Sequence, residues 1–91
     1  MMRLDQFLKV SRIVPRRPLA KRLCDEGRIR INGRPAKAAG EIHSGDILEV
    51  DLADSFRRFR VEDVPDQKSV PKEHARLLAE LLESHRKDPF S

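Results

Sequence analysis

In the stretch PRRPLAKRLCDEG, residues 15–27, Arg16, Arg17, Lys21 and Arg22 crowd one end and Asp25 and Glu26 close the other. The chemistry open to such residues is anion binding. A guanidinium offers a planar fork of donors that can hold two phosphate oxygens at once. The start of a helix adds unpaired backbone N–H groups and the positive end of its dipole. The charges here run against the order the dipole favours, which is worth about 0.3–1 kcal/mol per exposed charge. Lys21 with Asp25, and Arg22 with Glu26, are spaced to pair along a helix surface for about 0.2–0.5 kcal/mol each. Arg17 has Lys21 at that spacing and Arg16 has no acid nearby, so these two form a site that repels itself and would receive a phosphate. A solvated basic face is the plainer alternative. Arg3, Lys9, Arg12 and Lys37 extend the patch if the first two helices lie side by side.

No other constellation suggests catalysis or a metal. His74 and His85 would stand about 16 Å apart along one helix, too far to share an ion, and His43 sits beside a turn without a cysteine partner. Cys24 has basic neighbours that would lower its pKa and acidic ones that oppose them; a small buried helix residue is the simpler reading. There is no phosphate-cradling glycine loop, nucleophile motif or pair of catalytic carboxylates, so no enzyme activity, cofactor or metal is expected. With four Phe and no Tyr or Trp, the chain is poorly supplied for base stacking. Phe7 and Phe59 look like core, and Phe56 and Phe90 are ambiguous. The expectation is therefore contact with the backbone and shape of a folded RNA.

Local patterns give the elements that must position these groups. Leu4, Phe7 and Leu8, with Ser11 next, mark a helix from about Arg3 to Arg12, with Asp5 and Lys9 off its apolar stripe. Pro15 and Pro18 place the start of a second helix near Arg17, with Leu19, Ala20 and Leu23 inward and Gly27 closing it. Arg28 to Ile31 alternates as a half-buried strand, Asn32-Gly33 marks a hairpin turn, and Pro35 limits the next strand. Ser44-Gly45-Asp46 is a further turn before a strand over 47–52. Another strand is expected over 56–64, with Phe59 and Val61 inward. Residues 65–71 read as a polar connection. Ala75, Leu78, Leu81 and Leu82 then fall on one stripe of a helix over about 72–86, either docked on the sheet or turned to a partner.

The fold class is α+β: two N-terminal helices packed on a small, mainly antiparallel sheet, with a C-terminal helix. Ninety-one residues, 38% of them hydrophobic, support one small domain and leave no room for a separate catalytic domain. The formal charge of +4 suggests an acidic partner. It is unevenly spread, with eleven Lys or Arg against three acids in residues 1–37 and eight against twelve in residues 38–91. A single cysteine calls for no oxidising compartment. No apolar run approaches a membrane span, and the amphipathic, charge-interrupted start is unlike a signal peptide. A cytoplasmic protein with no membrane partner, acting as a monomer, is expected.

Taken in order, MRLDQFLKVSR, then RRPLAKRLCDEGRIRINGRPAKA, then GDILEV, residues 2 to about 52 resemble the RNA-binding domain named after small-subunit ribosomal protein S-four, the alpha-L motif. Residues 1–64 would be that domain, and residues 65–91 a polar connection and amphipathic helix beyond it. Among stand-alone members the chain is most similar to the bacterial ribosome-associated quality control factors of the RqcP type, and next to the small ribosome-associated heat-shock proteins. The resemblance implies binding to the large ribosomal subunit carrying peptidyl-tRNA, with contacts to large-subunit ribosomal RNA and to the tRNA, in support of alanine tailing by RqcH. It places Arg3 and Arg17 among the RNA-touching basics, with Lys9, Arg12, Arg16, Lys21 and Lys37 on the same surface, and Asp5 as an orienting or capping acid. Heat-shock-type ribosome rescue, DNA binding and a protein-interaction module through residues 72–86 are the alternatives.

Overall fold

The computed structural model of the chain describes residues 2–66 and 70–87. Helix α1 spans Leu4–Val10 and buries Leu4, Phe7, Leu8 and Val10. It ends at Ser11, because Arg12 takes a left-handed φ of 62° that no helix continues. Helix α2, Arg17–Asp25, follows an extended Arg16 with proline in its first turn. Gly27, at φ 75°, closes it: its N–H donates to Cys24 O and that of Arg28 to Leu23 O, at 3.0 and 2.9 Å, the paired bonds that end a helix on a left-handed glycine. Ala20, Leu23 and Cys24 turn inward. Leu19, expected to join them, stays 37% exposed.

The strands are β1 (Met2–Arg3), β2 (Ile29–Ile31), β3 (Arg34–Pro35), β4 (Glu41–Ile42), β5 (Ile47–Asp51), β6 (Ser55–Val61) and β7 (Ala79–Arg86). All pair antiparallel: β1 with β4, and the rest in the order β3-β2-β5-β6-β7. Asn32 and Gly33 both have positive φ, 53° and 85°, which gives the turn twist that suits a two-residue hairpin. The Asn32 side chain ties this hairpin to β5, accepting from Ile47 N–H at 2.9 Å and donating to Asp46 at 3.1 Å. Alternation then sets the faces. Ile29, Leu48, Val50, Phe59 and Val61 are buried in one core with Leu4, Phe7, Leu8 and Leu23. On the opposite face Arg58 bridges Glu49 on β5 (3.0 Å) and Glu83 on β7 (3.1 Å), and Arg60 pairs with Glu62 and with Glu80 on β7.

The expected fold class holds, but the C-terminal helix is much shorter than its pattern implied. Only one turn, α3 (Lys72–Ala75), is helical. It docks: Ala75 and Leu78 are buried. Residues 79–86, expected to continue the helix, instead form β7 along the edge of β6. Ala-Glu-Leu-Leu-Glu is rich in helix formers. The unpaired edge of β6, with Arg58 and Arg60 placed to meet Glu83 and Glu80, overrides that local preference. Leu81 and Leu82 are consequently 52% and 42% exposed. His74 and His85 lie on different elements rather than on one helix. Phe90 falls outside the described residues. Among the described residues no helix is long and apolar enough to cross a membrane.

A chain ended at Leu78 should lose strand signal in circular dichroism and melt at least about 5 °C lower, a shift of the order of one kcal/mol for a domain this size. Loss of helical signal instead would contradict a strand at 79–86.

Candidate nucleic-acid interface

Helix α1 begins without a side-chain cap. Its first N–H groups are satisfied from elsewhere: Leu4 N–H donates to Gly40 O at 2.7 Å and Asp5 N–H to Ala38 O at 3.1 Å. These bonds pin the 37–40 loop against the start of α1, and there is no slack in the turn, since a Cβ on Gly40 would stand 3.1 Å from Lys37 O. Helix α2 packs beside α1. The start of α1, the first turns of α2 and the 37–40 loop thereby meet along one surface.

At their junction Asp5 is 2% exposed. Its carboxylate accepts from Arg3 Nε and Nη2, both at 3.2 Å, and from Arg17 Nε at 3.3 Å. Both guanidiniums remain nearly half exposed, at 49% and 44% of their side chains. Burying a carboxylate is tolerable only when charge and hydrogen bonds match it. Here one acid is matched by two cations, so the cluster keeps a net positive charge at its surface. Among the described residues the Nη groups of Arg17 have no protein acceptor. They stand oriented by the Nε bond and open to a ligand.

A cleft of about 350 Å³ is lined by Arg3, Asp5, Arg17, Pro18 and Lys21. Beside it a second, of about 540 Å³, is lined by Arg3, Lys21, Cys24, Asp25, Lys37, Ala38 and Ala39. Arg3 and Lys21 border both, so the two form a continuous groove with four cations along it. The structure thus brings together Arg3, Arg17, Lys21 and Lys37. It leaves Lys9, Arg12 and Arg16 exposed but outside the groove lining.

Two expectations about pairing are reversed. Arg17, expected to lack an acid, is held by Asp5, twelve residues away; a search limited to one helix turn cannot see a partner that arrives through helix packing. Lys21, expected to pair with Asp25, has no carboxylate within ion-pair reach among the described residues, although Arg22 does pair with Glu26 at 3.1 Å. That bond, joined by one from Arg28, lowers the Glu26 pKa. Asp5, although off the apolar stripe, is buried. The available signal was an acid standing alone among the basics of the first sixteen residues, one position after the first core leucine.

Cys24 faces the groove from below and is buried. Burial pushes its thiol up to about 11, with the charges of Asp5 and Asp25 adding to the effect. His43 lies 3.4 Å from Glu41, and His85 lies 2.9 Å from Glu83. Among the described residues no three His, Cys, Asp or Glu side chains gather into a metal-ligand set. Phe7 and Phe59 are core, while Phe56 lies under the Arg58 guanidinium and against His85.

Residues 2–48 match the S4 domain family model. The chain is 41% identical to an RQC P-site tRNA stabilizing factor of Bacillus subtilis over 85 residues, covering 93% of this chain and 96% of that one. It is 33% identical to the Helicobacter pylori protein of the same name, over 84% of this chain and 90% of the other. Among solved structures, the trimeric Heat Shock Protein 15 of Vibrio cholerae superposes with a TM-score of 0.78 at 25% identity, over 88% of this chain and 80% of that one. The solution structure of hypothetical protein HP1423 gives 0.78 at 30% identity, over 90% and 98%.

The geometry separates alignment from simple charge. Asp5→Asn adds positive charge but lets go of both guanidiniums, so affinity for a structured RNA should fall about five- to tenfold, as expected when a charge-assisted contact is lost. Tightening, measured by fluorescence anisotropy, would mean that charge alone matters. Native Cys24 should resist alkylation at pH 8 and react only once the chain is unfolded, as read by mass spectrometry.

Proposed function

The chain belongs to the S4 domain family, and from that premise we propose that it is a non-enzymatic RNA-binding protein acting on the large ribosomal subunit that carries peptidyl-tRNA. It holds large-subunit ribosomal RNA and the tRNA in place during ribosome-associated quality control, while RqcH adds alanine to the stalled chain. Residues 1–64 are the RNA-binding unit, and within residues 65–91 α3 and β7 add a docked turn and a sheet edge. One chain presents the whole groove, so a single copy is the RNA-bound form.

The observation that carries this reading is the groove in which Arg3, Arg17, Lys21 and Lys37 line a common surface around a buried carboxylate. Phosphates enter it from solvent. Arg17 and Arg3 meet them with donors already oriented by Asp5, and that prior orientation lowers the entropy lost on binding. Lys21 and Lys37 act as point charges along the strand. Arg16, Lys9 and Arg12 flank this core and add longer-range attraction to the phosphate backbone. The name of the relatives, a P-site tRNA stabilizing factor in RQC, supports tRNA as one of the two contacts. The thiol at the groove, Cys24, is buried with its pKa raised, and Asp5 is engaged by two guanidiniums, which supports a role in holding rather than reacting.

The likeness to Heat Shock Protein 15 supports a second reading, rescue of large subunits after heat. The two differ in what they require: tailing depends on RqcH, and rescue does not.

Sedimentation with separated ribosomal subunits tests the proposal. The chain should travel with large subunits that retain peptidyl-tRNA and not with small subunits. If about four phosphates are neutralised, log affinity should fall with log salt at a slope of roughly −2.8 to −3.6; a salt-insensitive affinity sinks the reading. Arg17→Ala and Lys21→Ala should each weaken subunit binding about tenfold. Lys21→Ala should leave the melting curve unchanged, and Arg17→Ala should lower it while the chain still folds, because buried Asp5 keeps only Arg3. An equal loss from Arg76→Ala, at the exposed end of α3, would show that the groove is not special.

A further inference from the structure

β7 is the eight-residue edge of the five-stranded sheet, and none of the described strands pairs with its outer side. Proteins that stay apart guard such an edge with charge, proline or a cover. Here the guard is partial: among the described residues it consists of one bulge, at Leu82, and an exposed Arg86 at the strand's end, with no covering element. Residues 79–86 contain no proline, and Glu80 and Glu83 are drawn back across the sheet to Arg60 and Arg58. Leu81 and Leu82 are half exposed at the middle of the strand, and Leu77, just before it, is 70% exposed.

We propose that β7 pairs antiparallel with β7 of a second copy about a two-fold axis at its centre, joining two five-stranded sheets into one of ten strands. Such a contact is self-complementary by symmetry. The register follows from the strand itself. An axis between residues 82 and 83 pairs the full length, setting Ala79 opposite Arg86, Glu80 opposite His85 and Leu81 opposite Ser84.

Directly opposed residues must share a sheet face. In a regular strand of even length, residues equidistant from the centre lie on opposite faces, and this register would fail. The bulge removes that obstacle. Between the pairs Phe59–Leu81 and Arg58–Glu83 it leaves Leu82 over, which shifts the alternation by one. Ala79 and Leu81, opposite Val61 and Phe59, then share a face with Ser84 and Arg86, opposite Arg57 and Ser55; Glu80, Glu83 and His85 share the other. Every outer pair of the proposed ladder therefore joins residues of one face. Symmetry sets Glu80, which lies on Arg60 of its own chain, opposite the second copy's His85, which lies on Glu83, so the two carboxylate–imidazole contacts form by sharing those ion pairs, and it gathers the leucines at the axis. No groove residue lies on β7, so both grooves stay open.

One strand pair is a small interface, and the dimer should be weak, with a dissociation constant of the order of 10–100 µM. Sedimentation velocity of the full chain over that range should show a monomer–dimer equilibrium. Hydrogen exchange of the 79–86 amides should slow as concentration rises, while the β3 edge stays unchanged. His85→Glu, which sets like charges opposite each other, should weaken the dimer about tenfold, and His85→Lys should tighten it, with monomer melting checked at low concentration for both. A monomer at every concentration, protection that appears elsewhere, or an unchanged constant for His85→Glu overturns the proposal.

Discussion

Removing a carboxylate from water is unfavourable unless positive charge and hydrogen-bond donors go with it. Asp5 sits at the base of the groove at 2% exposure, and the surface around it follows from meeting that requirement. Arg3 arrives from the short strand before α1 and Arg17 from the first position of α2, and each gives up part of its donor set to the same acid. What each retains points outward. The acid neutralises one charge of the two and fixes the direction of both, which a bare patch of flexible lysines cannot do.

The rest of the molecule keeps its charges separate from this site. On the outer face of the sheet, arginines and glutamates alternate between strands and largely cancel, with Arg58 shared by Glu49 and Glu83 and Arg60 by Glu62 and Glu80. Along the groove the cations outnumber the acids. The uneven halves seen in composition thus become two surfaces: one satisfied internally, the other requiring a counter-charge from outside. Such a distribution directs an anion to one face at long range.

What could be read from the residues was local. The Leu4, Phe7, Leu8 stripe, the Asn32-Gly33 turn and the left-handed Gly27 each carry their structural instruction within a few positions, and each forms the element it marks. Arg3, Arg17, Lys21 and Lys37 were identifiable by type only together with Lys9, Arg12 and Arg16, and nothing local told which of the seven would line one groove. What escaped was set by distant partners. Arg17 looked unpaired because its acid lies in another helix, and Lys21 looked paired because Asp25 sits one turn away on the same helix. Residues 79–86 looked helical because nothing in their own pattern reports that β6 offers an open edge.

The two bonds from the start of α1 to Gly40 and Ala38 join segments more than thirty positions apart, and the acid–arginine cluster depends on the helix they hold. Contacts of that sequence separation form late, because chain closure must be paid before they stabilise anything. Hairpins such as β5–β6 can arise early from neighbours, whereas the cationic cleft comes into being only when the ends of its architecture have met. A nascent or partly opened copy therefore carries its arginines without their arrangement. Competence to grip a polyanion becomes a property of the finished molecule, and an immature chain has little means of occupying the site meant for a mature one.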